Sequence, residues 1–145
     1  MAYFKSLENQ LKYSFNDVHL LEEAFVAAGA EKSRPDVEGD VSGNKRLALI
    51  GDAVLRLSVL EEWFPSGEST KVGEHMVQDI GTNEKLKDIA KQWKLTKWLK
   101  ENPCQADQEP RTTLASTVEA VIGAVWLDCH RDLVEVQRLI KRLQE

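Results

Sequence analysis

Two carboxylates, Asp52 and Glu119, each stand alone in an otherwise apolar run. Asp52 lies in NKRLALIGDAVLRL, from Asn44 to Leu57, and Glu119 in LASTVEAVIGAVWLD, from Leu114 to Asp128. A carboxylate carried into apolar surroundings is costly unless it is paired, hydrogen-bonded or bound to a cation. If the two runs are helices packed on each other, Asp52 meets Glu119, and their oxygens suit a magnesium-type ion. Plain ion pairing satisfies the same pattern, with Arg56 or Lys45 supplying the charge opposite Asp52. Residue types and spacing leave both open.

The elements that must position these acids are read from apolar periodicity, which is helical almost throughout, with few strand signals. Phe4, Leu7 and Leu11, with Phe15 beyond them, form a first stripe. Asn16-Asp17 looks like the N-cap of a second helix that buries Leu20, Leu21, Ala24 and Phe25. Residues 29–43, rich in Gly, Pro, Ser and Asp, read as an exposed loop. A third helix is predicted from near Asn44 to Phe64, with Leu47, Ile50, Val54, Leu57 and Leu60 inward and FPSG ending it. Helices over about Lys71–Asp79 and Asn83–Trp93 follow, then a loop in LKENPCQADQEP. RTTLASTVEAVIGAVWLD is apolar nearly all round and belongs at the centre. The closing segment is amphipathic, with Leu133, Val136, Leu139, Ile140 and Leu143 inward. An all-α bundle of about seven helices follows, as one domain over residues 1–145.

The formal net charge of −5 argues against a chain that wraps nucleic acid over its whole surface, but leaves room for a local basic patch. One such patch is NEKLKDIAKQWKLTKWLKEN, where Lys87, Lys91 and Lys94 recur at helical spacing and are candidates for phosphate contact. A solvated face balanced by Glu84, Asp88 and Glu101 is the alternative. Trp93 and Trp98, interleaved there, read as core rather than as stacking platforms. Arg138, Lys141 and Arg142 form a weaker basic cluster, and His75 and His130 lack ligand spacing. Cys104 and Cys129 form no CxxC pair and read as reduced cysteines of an intracellular protein. The pattern does not choose among nucleus, cytoplasm and mitochondrion. No apolar run approaches the ~18 residues of a membrane span, and the start lacks a secretory pattern.

NKRLALIGDAVL resembles the signature of the ribonuclease III family, which reads close to NERLEFLGDAVL. It keeps Asn44, Arg46, Leu47, Gly51, Asp52, Ala53, Val54 and Leu55. LASTVEAVIGAVWLD is similar to the family's LADTVEALIGAVFLD. LENQLKYSFNDVHLLEEAF and NEKLKDIAKQWKL match further family segments in order and spacing, so the resemblance covers nearly the whole chain. It implies an all-helical endonuclease domain that dimerises, the third helix's apolar stripe resembling the dimer interface, and cuts double-stranded RNA with magnesium. The chain ends at Glu145 without the double-stranded-RNA-binding module that often follows, so RNA affinity is expected from this domain, its dimer or a partner.

The resemblance also shows what has changed. The family carries acids at the positions of Lys45, Ala48, Asp52, Ser116 and Glu119; here only Asp52 and Glu119 keep them. Positions 45, 48 and 52 line one helical face, as do 116 and 119. At an effective dielectric of about 20, each unit charge about 4 Å away is worth roughly 4 kcal/mol to another. Losing several acids therefore weakens binding of Mg2+ or Mn2+ by orders of magnitude. The family's ALTHRS is replaced by AFVAAGA at residues 24–30, without its Thr, His and Ser. The expected protein is a ribonuclease III-like domain that binds structured or double-stranded RNA, in RNA processing or a ribonucleoprotein, with cleavage lost or severely weakened. Two alternatives stand beside it: an active nuclease recruiting other acids such as Glu68 or Glu74, and a protein-interaction module.

Overall fold

The computed structural model describes residues 2–27, 42–100 and 111–145. Among these are seven α-helices: α1 (Lys5–Leu11), α2 (Val18–Ala24), α3 (Lys45–Ser66), α4 (Thr70–Ile80), α5 (Asn83–Gln92), α6 (Arg111–Asp128) and α7 (Leu133–Gln144). Short 3₁₀ turns occupy Ala2–Phe4 and Leu95–Lys97. Cys104, Pro110 and most of the two loops expected from composition lie outside the described residues.

Because α6 is apolar on every side, it takes the middle of the bundle, and α2, α3, α5 and α7 pack around it. Val118, Ala120, Val121, Ile122, Ala124 and Val125 are all buried. The α3–α6 approach is close because small residues meet there. A Cβ on Gly51 would lie 1.7 Å from the Glu119 carbonyl oxygen, and one on Gly123 2.2 Å from that of Leu47. Only glycine lets the two backbones touch in this way.

Helix starts follow local chemistry. The Asp17, Ser69, Thr82 and Asp132 side chains accept hydrogen bonds from the first backbone N–H groups of α2, α4, α5 and α7. Asn44 is buried at the start of α3, where its Nδ2 donates to the Ala24 carbonyl at 3.0 Å and to the Thr117 hydroxyl at 3.2 Å. Arg46 pairs with Glu23 at 3.1 Å, a second tie between α3 and α2. The signature's Asn and Arg thus fix how the acid-bearing helix enters the bundle.

The predicted inward stripe of α3 is corrected in part. Leu47 and Val54 are buried, together with Ala48, Gly51, Leu55, Ser58 and Val59. Leu57 and Leu60 instead face out, 43% and 37% exposed, alongside Leu49 at 76% and Phe64 at 79%. The helix is apolar on two sides, and the side carrying Gly51 is the one that can approach α6. The remaining stripes hold: Leu7, Leu11, Leu21, Ala24 and Phe25 are buried, as are Val136, Leu139, Ile140 and Leu143.

Candidate functional site

The close α3–α6 contact brings the two lone acids together. Asp52 follows Gly51, whose own neighbour across the interface is the Glu119 backbone, so the two acids meet at this contact, close enough for Asp52 to raise the pKa of Glu119. The turn after α4 closes a third side, since a Cβ on Gly81 would sit 4.0 Å from Asp52 Oδ1. The juxtaposition expected from sequence is therefore present.

Its charge is not that of an open cation site. Arg56, one turn along α3, places its Nε 3.2 Å from Asp52 Oδ2 and 3.4 Å from Oδ1. Of the two cations open to Asp52, the structure selects Arg56, because a helix brings residue i+4 alongside residue i. Lys45 is exposed on the same face and acts on Glu119 through its charge rather than by contact with Asp52. The Glu119 carboxyl is pushed up from its ordinary 4.5 to about 8. Burial is the largest cause, followed by the hydrogen bond to Asp52 and the negative charge of Asp52; Arg56 and Lys45 pull the other way and lose.

The other positions that are acidic in the resembling family add no oxygen anion. Ala48 is a buried methyl group and Ser116 a half-buried hydroxyl. Glu68 and Glu74 are exposed and do not join the pair. Among the described residues no group of three or more His, Cys, Asp or Glu side chains gathers for a metal. Hard divalent cations want several oxygen anions, whereas here two carboxylates are left at these positions and one of them already faces a guanidinium. The donor set does not fit a Mg2+ or Mn2+ centre.

The basic patch is only partly a helical ridge. Lys87 and Lys91 lie one turn apart on α5, beside the buried Leu86 and Ala90. Lys94 leaves that register: α5 is capped at Trp93, and Lys94 has a left-handed backbone, φ +55°. Among the described residues none of the three forms an ion pair. Trp98 is buried and its Nε1 donates to the Tyr3 carbonyl; half-buried Trp93 donates to that of Leu143, so both serve the core as expected. His75 and His130 are exposed. Arg138 pairs with Glu135 at 3.0 Å, which removes one member of the weaker basic cluster. Residues 28–30 of AFVAAGA lie outside the described residues.

A second carboxylate cluster escaped sequence reasoning. Asp128, 5% exposed, accepts from the Tyr13 hydroxyl at 2.6 Å and from the backbone N–H groups of Asn16 and Asp17 at 2.9 and 2.7 Å. Its one sequence signal is an acid closing an apolar helix, which is also how an ordinary C-terminus reads.

A ribonuclease-III-like family model matches residues 21–142. Ribonuclease 3 of Oleidesulfovibrio alaskensis is 32% identical over 130 residues, covering 86% of this chain and 56% of the relative. Ribonuclease 3 of Carboxydothermus hydrogenoformans is 35% identical over 133 residues, covering 86% and 54%. The crystal structure of the ribonuclease III nuclease domain from Campylobacter jejuni superposes with a TM-score of 0.80 at 26% identity, covering 100% of this chain and 95% of that one. The chain belongs to the ribonuclease-III-like family, with the nuclease-domain fold. It spans about half the length of the curated relatives it matches. No helix among the described residues is long and apolar enough to cross a membrane.

Proposed function

We propose that this domain binds structured or double-stranded RNA without cleaving it at an appreciable rate. The observation that carries this is the state of the Asp52–Glu119 pair. In place of a cluster of five acids it presents two, and one of these, Asp52, is already ion-paired with Arg56. Hydrolysis of a phosphodiester by the family's route needs ions that activate water and stabilise the leaving oxygen. Lys45, Ala48 and Ser116 supply none of the anionic oxygens that would hold them.

Lys87, Lys91 and Lys94 are proposed as phosphate contacts. Their lack of ion-pair partners among the described residues supports that role, because a phosphate then displaces no carboxylate. The exposed apolar side chains of α3 that point away from Lys45 and Arg56, Leu57 and Phe64, are proposed to join a second copy of the chain. The Mg2+ or Mn2+ of the family is proposed to be absent from the working protein.

The test is incubation with duplex RNA and Mg2+ or Mn2+, followed on native and denaturing gels, with Asp52→Asn and Glu119→Gln alongside. A shifted but intact duplex is expected in all three. Cleavage by the unaltered chain that both substitutions abolish would establish a divergent active nuclease instead. Absence of any shift at low salt would favour a protein-interaction module.

A further inference from the structure

The remodelled centre is not simply an emptied metal site, because the cations now belong to the protein. Lys45, Ala48, Asp52 and Arg56 follow one another along one face of α3, at spacings of three, four and four residues. Lys45 is exposed, and the Arg56 side chain is 57% exposed. Asp52 takes up Arg56 through Nε alone, and among the described residues the two terminal amino groups have no partner. A guanidinium held by one edge and open at the other is pre-oriented for a phosphate oxygen pair, to which it can donate two parallel hydrogen bonds. Ala48, between the two cations, adds no bulk and no opposing charge.

Where a metal-dependent relative would need a divalent ion to bridge carboxylates and phosphate, direct contact is available here. We propose that Arg56 forms a phosphate-binding subsite that holds an RNA backbone phosphate directly, with no divalent ion between, and that Lys45, three turns back along α3 and about 16 Å away, reaches a separate phosphate of the same backbone. Asp52 is the positioning residue, fixing the guanidinium through Nε. The inference rests on the domain being an RNA binder and assigns part of that binding to the α3 face rather than to α5 alone.

The experiment is a salt titration of duplex-RNA affinity for the whole chain, by fluorescence anisotropy, at matched ionic strength in EDTA and in Mg2+. Affinity is expected to be the same in both. Arg56→Gln and Lys45→Gln should each weaken binding several-fold at low salt and lower the slope of log affinity against log salt by about one. Arg56→Lys, which keeps the charge, should preserve most of the slope while losing the bidentate geometry. Lys5→Gln on α1 is the control and should change neither. Asp52→Asn should weaken binding less than Arg56→Gln although it makes the centre more positive, because the guanidinium loses its support. Binding that collapses in EDTA overturns the proposal, as do Arg56→Gln and Lys45→Gln slopes equal to that of Lys5→Gln. A chain that binds no RNA under either condition overturns the RNA-binding function itself, a different failure from intact binding that ignores Arg56.

Discussion

Asp128 and Asp52 are both carboxylates on helices that pack at the centre of the bundle, yet they do opposite things. Asp128 is buried and surrounded by fixed donors: the Tyr13 hydroxyl and two backbone N–H groups in the segment between α1 and α2. It is an anchor, and it holds the Tyr13 hydroxyl protonated far above its ordinary range, through burial first and then the hydrogen bond and charge of Asp128. Asp52 is 34% exposed in its side chain and has one flexible cation and one half-buried acid for neighbours. A carboxylate given backbone donors stabilises a fold, whereas one left with a movable cation beside solvent is available to a ligand.

The contrast breaks most visibly under truncation. Asp128→Ala should cost about 3 kcal/mol in urea unfolding, because it strands two backbone donors and a tyrosine hydroxyl. Asp52→Ala should cost less than about 1 kcal/mol, as expected for a partly exposed i,i+4 ion pair. Equal costs would mean that Asp52 is as structural as Asp128.

Restoring the acids sharpens the other side. The triple variant Lys45→Glu, Ala48→Glu, Ser116→Asp should lose thermal stability without metal through like-charge repulsion. Mg2+ should restore it, since an ion that binds only the folded state stabilises by mass action. An affinity gain of tenfold or more corresponds to at least about 1.4 kcal/mol. The unaltered chain should melt at the same temperature with or without Mg2+. A triple variant indifferent to Mg2+ would sink the charge account of the lost centre.

Tyr13→Phe removes one donor from Asp128 and leaves the backbone donors, so a loss of about 1 kcal/mol in the same unfolding assay is expected.

The smallest effect concerns protons. Glu119 binds its proton more tightly folded than unfolded, so between about 4.5 and about 8 the native state carries the extra proton. Its contribution is fully present below the unfolded value, and stability should fall as pH rises through that window. Glu119→Gln should flatten this slope, matching the unaltered chain near the acid end and exceeding it by about 1 kcal/mol near the alkaline end, after allowance for solvent screening. Melting curves across pH give the comparison, and an unchanged slope in Glu119→Gln would place the proton elsewhere.

Much of this was legible along the chain, for identifiable reasons. α6 was predicted with its observed bounds because its apolar run is closed by Pro110 and Asp128. The N-cap at Asp17 and the inward stripe of α7 followed from side chains whose preferences are local. The phase of α3 was not legible, because periodicity marks an apolar side without saying which neighbour covers it. Lys94 likewise fits a helical spacing on paper, while the chain turns left-handed there to start the Leu95–Lys97 turn.

The amino-acid sequence by itself determined the helical fold, the family, and the loss of oxygen anions at Lys45, Ala48 and Ser116, since all of these rest on residue type and spacing. Only the tertiary structure decided which cation Asp52 holds, that burial pushes the Glu119 carboxyl up, and that Asp128 is an anchor. Those depend on distance and burial across the α3–α6 contact and between Asp128 and the α1–α2 segment, and electrostatic energy in a folded protein is set by both.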